Sequence, residues 1–477
     1  MEFQHPHPVQ IIRNTSRFWL LLLLPVLRGF LFSGGNLYVW MKGAWMDLLV
    51  LVAIVLFGYL SWYFNTFYVG KDGVYIHKGI FLIQQYVIPY EMISSITVEN
   101  PFYLSPIRGS YVKLDTDAGN VRQADLSFVM KRKDVERLVK YAQEKLVGDA
   151  KNMGRIYSPR LWYIAILSLI SSNSLTGVLF ASTLISQSGN LLGKEFEDML
   201  VTNLTKIAEL LAFGIPPAAA ILAYLLLGGW GLAFLLNIIR NKDFSVNRRN
   251  QSMTIRAGIL IPRYYCFNIG RINLVEIRQT LFTKVLGYYS VYINCAGYGK
   301  LKNGTSVLIP AAERREAMRN LNLLFPEIQF VKRDIKPKPV DFRRFIFIPT
   351  IIIVVFAVII AGSYLFFPGF RGLILFVGIM IEIIPVLYLI VRMISYSHTG
   401  IGYSQGMLTA SYTKRLLFCR VSMPREKVSK IVYRQNLLQK STGCCDVVIY
   451  TYSEGTKRHI IRNLNQTEVQ ELLKHSI

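Results

Sequence analysis

Glu382 is the side chain whose setting most nearly calls for chemistry. It lies in the middle of an apolar run, Leu373 to Ile394, with Pro385 three residues on. A carboxylate at that depth is costly to keep ionised, and two uses are open to it. It can be a proton or ion site, or a protonated, hydrogen-bonded strut between helices. Nothing else assembles a catalytic set. His5 and His7 sit in an N-terminal tail read as mobile, and His77, His398, His459 and His475 are scattered without metal-ligand spacing. Cys266, Cys295, Cys419, Cys444 and Cys445 form no CxxC pair, so they are read as buried small apolar residues with reduced thiols. No GxSxG, Walker or GxGxxG run follows a strand and opens a helix. Gly228-Gly-Trp-Gly231 falls inside an apolar window, where close helix packing accounts for it. The chain reads as non-catalytic, with no cofactor and no metal.

The other chemistry on offer is positive charge. Lys and Arg number 54 against 29 Asp and Glu, a net +25. The pairs Arg248-Arg249, Arg314-Arg315, Lys332-Arg333 and Arg343-Arg344 suit contact with anionic lipid headgroups, each charge contributing about 1 kcal/mol near such a surface. A second reading is that any domain held at the cytoplasmic face of a membrane is basic for topological reasons. Nucleic acid is not the expected partner, because the charges do not form one continuous stripe.

The elements that carry these residues are a membrane part and a β part. Hydrophobic residues make up 52% and charged residues 17% of the 477, and the apolar ones are clumped into windows near the roughly 20 residues a lipid span needs. The windows are Phe18–Phe32, Trp45–Phe64, Leu161–Ile185, Ile215–Ile239, Phe345–Phe367 and Leu373–Ile394. Phe18–Phe32 follows Arg13 and Arg17 and lacks a small-residue cleavage site, so it is read as a retained anchor, with Arg28 snorkelling. Basic residues number 14, 20 and 13 in 66–160, 240–345 and 391–477, against 10, 7 and 5 acidic ones, which assigns these stretches to the cytoplasm. Six helices in three hairpins are expected. Residues 186–214 then lie outside, with an amphipathic helix carrying Phe196, Leu200, Leu204, Ile207 and Leu211. Ser171-Ser-Asn-Ser174 offers hydrogen bonds between helices or, less simply, a broken-helix substrate site.

The cytoplasmic stretches repeat one script. Gly-marked alternating strands come first: Gly73–Gly79, Ser252–Gly258 and Gly406–Tyr412. Val87–Ile93, Phe267–Ile272 and Val421–Val428 follow as a strand and turn. Arg278-Gln-Thr-Leu281 then reaches Gly287 and Arg434-Gln-Asn-Leu437 reaches Gly443, nine residues from Arg to Gly in both, whereas Glu99-Asn-Pro-Phe102 reaches Gly109 in ten. Turns at Gly119-Asn120, Asn303-Gly304 and Glu454-Gly455 lead to amphipathic helices over Lys131–Leu146, Ala311–Leu324 and Thr467–His475, the last with Asn465 and Glu468 at capping-box spacing.

This threefold order resembles the bacterial pleckstrin-homology-like domains of the YdbS/YdbT membrane proteins. The resemblance implies an integral membrane α-helical plus α+β protein, with a helix pair before each cytoplasmic PH-like β-barrel and its C-terminal helix. The divisions expected are a tail and first hairpin (1–65), a PH-like domain (66–150), a second hairpin (160–240), a second domain (241–335), a third hairpin (344–396) and a third domain (397–477). The function expected is a scaffold or sensor binding anionic lipid or a membrane protein, including a smaller PH-like-domain membrane protein. The competing reading is a transporter with a path through six helices and Glu382 as coupling group.

Overall fold

Alternation builds the strands. In Gly73–Lys78, Val74 and Ile76 are each 1% exposed while Tyr75 and His77 face outward in part, the two-residue period of a half-buried strand. The computed structural model describes residues 3–16, 45–80, 82–116, 125–147, 154–172, 217–295, 306–451 and 457–476, and the single residues 18, 195, 199, 202 and 298. After α1 (Val9–Ser16) and α2 (Trp45–Tyr63), the first repeat supplies β1 (Thr66–Val69), β2 (Gly73–Lys78), β3 (Gln84–Pro89), β4 (Ile93–Glu99), β5 (Gly109–Thr116), β6 (Leu126–Lys131) and α3 (Arg132–Val147). A short β7 (Arg155–Tyr157), α4 (Leu161–Ser171) and α5 (Pro217–Asn241) lead to the second repeat. It comprises β8 (Ser245–Arg249), β9 (Ser252–Ala257), β10 (Arg263–Asn268), β11 (Ile272–Thr280), the one-turn α6 (Leu281–Val285), β12 (Tyr288–Cys295), β13 (Val307–Glu313) and α7 (Arg314–Leu324). Helices α8 (Phe342–Phe366) and α9 (Arg371–His398) precede the third: β14 (Gly400–Ser404), β15 (Met407–Lys414), β16 (Leu417–Pro424), β17 (Val428–Arg434), α10 (Leu437–Lys440), β18 (Cys444–Thr451), β19 (Lys457–Asn465) and α11 (Gln466–Ser476).

Each repeat is thus two antiparallel three-stranded halves and a final helix, but the repeats are not separate barrels as expected. The sheets run β1-β2-β3, then β6-β5-β4-β10-β9-β8-β7, then β13-β12-β11-β16-β15-β14, then β17-β18-β19. The second half of one repeat pairs with the first half of the next, through β4–β10 and β11–β16. The physical reason is edge satisfaction: an unpaired strand edge exposes a row of amides and carbonyls, and a neighbouring repeat can cover it. The chain accordingly divides into two bodies that do not follow the repeats. One is Met1–Ile156 with Val246–Ile272 and Cys295–Gly304; the other is Tyr157–Ser245 with Asn273–Asn294 and Thr305–Ile477. In the first body, Ile96, Val98, Val112, Leu114 and Leu138 share a core with Cys266 of β10. In the second, Leu274 of β11 shares a core with Val421, Met423, Val447, Ile449 and Ile461.

The membrane part differs from the six helices expected. Among the described residues, two helices are long and apolar enough to cross a bilayer, Pro339–Phe366 and Ile374–His398. Leu49–Tyr63 is a shorter apolar helix, and its described packing partner is α1: Asn14 donates to the Ser61 hydroxyl at 3.2 Å, and a Cβ on Gly58 would lie 2.5 Å from Thr15 Oγ1. The expected span Leu161–Ile185 is a helix only to Ser171 in the described residues, with Tyr163, Ile164, Ile166 and Leu167 at most 5% exposed. Tyr163 and Ile166 pack with Ala311 of β13 and Tyr288, so this helix spends its apolar face on protein. Ser172 accepts from Asn237 of α5 at 3.2 Å, the hydrogen bond between helices foreseen for this polar run. The expected segment Phe18–Phe32 beyond Phe18, and Phe196, Leu200, Leu204, Ile207 and Leu211, lie outside the described residues, as do the turns at 119–120, 303–304 and 454–455.

The N-terminal tail is docked instead of mobile. Gln4 bridges to Phe67, and the His7 amide donates to the Val129 carbonyl at 2.8 Å. The ten-residue spacing in the first repeat also dissolves: the residue before β5 is Arg108, held at φ 51°, where Gly287 and Gly443 precede β12 and β18 at 73° and 68°. Glu99 to Arg108 is nine residues, so all three repeats share the spacing, and the first places an arginine in the left-handed region that glycine adopts freely.

Candidate functional site

The Arg-Gln-x-Leu runs serve the fold. Gln279 donates to the Tyr288 carbonyl at 2.9 Å and Gln435 to the Cys444 carbonyl at 2.7 Å, in each case the residue after the left-handed glycine. Thr280 caps α6 through the Thr283 amide, and Asn436 accepts from the Gln439 amide at 2.7 Å to start α10. At α11, Asn465 accepts from the Thr467 amide, while Glu468 takes a hydrogen bond from the Asn465 side chain at 2.7 Å instead of reaching the backbone. Gly402-Tyr-Ser-Gln-Gly406 spells GxSxG but forms the β14–β15 hairpin with Gln405 and Gly406 left-handed, so its serine has no helix behind it. Among the described residues no three His, Cys, Asp or Glu side chains gather as a metal site. All five cysteines are free and buried.

The arrangement with functional potential lies in the second body, at the base of the α8–α9 hairpin. The hairpin presents apolar residues outward, among them Ile348, Ile351, Val354, Val358, Ile379 and Ile384, each at least 46% exposed. A Cβ at Gly378 would sit 2.8 Å from Ile360, so the glycine lets the two helices approach. Basic residues collect at one end. Arg343 is exposed in the first turn of α8; Arg344 lies 3.6 Å from Asp341 and donates to the Thr442 hydroxyl. Arg333 donates to the Ser397 carbonyl, in the last turn of α9, at 2.6 Å, and Lys332 beside it is exposed. Arg314 and Arg315 are exposed at the start of α7.

Two further cations join this group. Burial first, then the charges of Arg333 and Arg314, depress the pKa of Arg420; burial, then Arg333, does the same to Lys284. Arg420 donates to the Val331 carbonyl at 2.9 Å, and the Lys284 ammonium lies 4.5 Å from the Phe418 ring centre. Lys284 sits in α6, whose Phe282 and Val285, with the following Leu286, are 52%, 77% and 49% exposed. Arg314, Arg333, Arg420 and Lys284 thus share one positive field beside an apolar knuckle. Pair-searching in the sequence missed Lys284 and Arg420 because each is a lone charge on its element. Arg248 and Arg249 lie on β8, half-buried and exposed respectively, and belong to the other body.

Glu382 lines an apolar groove of about 460 Å³ between α8 and α9, with Ala357, Ile360, Tyr364, Gly378 and Ile379. Neither carboxylate oxygen has a hydrogen-bond partner among the described residues. Among the described residues only α8 and α9 are long and apolar enough to span, so the six-helix path expected of a transporter is not formed among them.

The sequence matches the bacterial PH domain family three times, over residues 20–146, 200–327 and 345–477. No curated protein and no solved structure matches the chain. Domains of this kind are generally non-catalytic, and the repeated two-sheet units are consistent with a binding role. By the three matches, which cover most of its length, the chain belongs to the bacterial PH domain family.

Proposed function

We propose that this chain is a non-catalytic scaffold of the YdbS/YdbT type, held in a bacterial cell membrane by the α8–α9 hairpin and binding anionic lipid at the hairpin's base. The observation that carries this reading is the shared positive field of Lys284, Arg314, Arg333 and Arg420 next to exposed Phe282, Val285 and Leu286. Apolar side chains that can enter the headgroup layer, flanked by cations that meet phosphates, are the chemistry of interfacial binding. A hairpin returns both its ends to one side, and the basic residues at that end favour the cytoplasmic side. The third repeat follows α9 directly, so it lies on that side as well. A dedicated headgroup pocket is not required; a charged surface beside an anchor acts at high effective concentration.

The test is native mass spectrometry of lipids retained by the full chain from a mixture of phosphatidylglycerol and phosphatidylcholine. Enrichment of the anionic lipid, lost in Arg314→Gln/Arg333→Gln with secondary structure intact, supports the reading. Equal retention of both lipids by the parent chain would sink it.

A further inference from the structure

The two junctions between repeats use one register. Counting back from Asn268 and Pro424, which end β10 and β16, and forward from Ile93 and Ile272, which begin β4 and β11, the pairs coincide. Arg263 and Cys419 stand five before the strand end, and they pair with Glu99 and Arg278, each six after the strand start. Cys266 and Ser422, two before the end, pair with Ile96 and Val275, three after the start. The side chain two before the end is built to enter the neighbouring repeat: Cys266 is counted in the core of the first repeat, with Tyr264 packed alongside and its hydroxyl accepting from Gln143 of α3 at 2.7 Å.

Among the described residues the array leaves one strand of each kind over. β3, the counterpart of β10 and β16, ends the β1-β2-β3 sheet; β17, the counterpart of β4 and β11, begins the β17-β18-β19 sheet. Burial records the difference. No residue of β4, β10, β11 or β16 is exposed, whereas Gln84, Gln85, Val87 and Pro89 of β3 and Ser429, Lys430, Tyr433 and Arg434 of β17 are. Val87, the counterpart of Cys266, is 47% exposed. No charge on β3 opposes pairing, and Pro89 stands where Pro424 stands, beyond the pairs of the β11–β16 ladder. Lys430 occupies the place of Ser95, at the inner end of the β4–β10 ladder.

We infer that the two open edges are complementary ends, and that β3 of one copy of this chain pairs with β17 of a second copy in the register of the internal junctions. Gln84 then faces Arg434, Gln85 faces Tyr433, Tyr86 faces Val432, Val87 faces Ile431 and Ile88 faces Lys430. Two identical chains joined in this way make a head-to-tail contact, which propagates into a ring or an open row. Anchoring in one membrane raises the concentration at which the ends meet. The inference does not rest on lipid binding.

The experiment mixes two tagged full-length chains in one membrane, one carrying Val87→Cys and the other Ile431→Cys, under mild oxidation. A disulfide between the two tags is expected. Val87→Cys with Arg434→Cys should give none, since three residues out of register is about 10 Å, beyond the roughly 7 Å Cα separation a disulfide can bridge. Single chains carrying either substitution alone set the background from the five buried cysteines. A disulfide formed only within a chain carrying both substitutions, capture of either thiol by a different protein, or no mixed product overturns the inference. As a second measurement, Val87→Glu places a charge on a side chain already half in solvent. Its molar mass by light scattering in mild detergent should fall to that of one chain while its melting profile is kept. An unchanged mass overturns the inference independently.

Discussion

Replacing Arg278 by methionine takes the cation out of the β11–β16 junction and removes the counter-charge of a buried carboxylate. Glu276 is 3% exposed, and its Oε2 accepts from Arg278 Nη2 at 2.7 Å. The guanidinium also lies 4.2 Å from the centre of the Tyr292 ring. Burial alone would loosen the guanidinium's proton, but the charge and hydrogen bond of Glu276 outweigh it and raise the pKa. Removing one member of a buried pair costs about 3–5 kcal/mol. The Arg278 side chain keeps 31% of its exposure, so water screens part of the loss and the low end, about 3 kcal/mol, applies. Global unfolding of a chain with more than one core is seldom two-state, so a local readout is needed. Hydrogen exchange at the Phe418–Ser422 amides reports opening of the strand that pairs with β11. At 1.4 kcal/mol per tenfold, their protection should fall about a hundredfold. Glu276→Gln combined with Arg278→Met should recover most of it, because no buried charge then lacks a counter-charge. Protection within about twofold of the parent, the effect of an ordinary surface substitution, would refute the view that this ion pair holds the junction.

The cysteines and Glu382 supply two further tests. Burial, then Asp446 and Cys444, push the Cys445 thiol up to about 11, and burial likewise raises Cys266 and Cys419. Since the thiolate is the reactive form, a maleimide at pH 7.5 should label none of the five until the chain is denatured. Fast labelling of the native chain would contradict their buried placement. Glu382→Gln should leave the proposed anionic-lipid retention unchanged, because the carboxylate sits in the groove between α8 and α9, whose lining includes no Lys or Arg. Loss of that retention would tie the groove to lipid binding.

Local rules wrote much of this chain. Alternation placed β2, β9 and β15, the nine-residue spacing ended on Gly287 and Gly443, which the structure holds left-handed, and the three closing helices formed within a few residues of Lys131–Leu146, Ala311–Leu324 and Thr467–His475. These depend on period, turn chemistry and capping, which act over a few neighbours. Arg108 escaped because a non-glycine left-handed residue carries no composition signal.

The membrane part was over-read for a physical reason: apolar content measures what a helix must bury and is silent about what buries it. Leu161–Ser171 found protein, against β13, while α8 and α9 keep apolar faces outward. Sheet sharing was likewise out of reach. Whether β4 closes on its own repeat or pairs with β10 is a competition between edges 164 to 172 residues apart, decided by geometry that no local pattern encodes. The positive field had the same origin, since Lys284, Arg314, Arg333 and Arg420 come from α6, α7, the connection after α7 and β16, and become neighbours only when the second and third repeats share a sheet. By itself the sequence determined the repeat and its strands; tertiary structure decided which edges are satisfied within the chain and which, β3 and β17, end their sheets among the described residues.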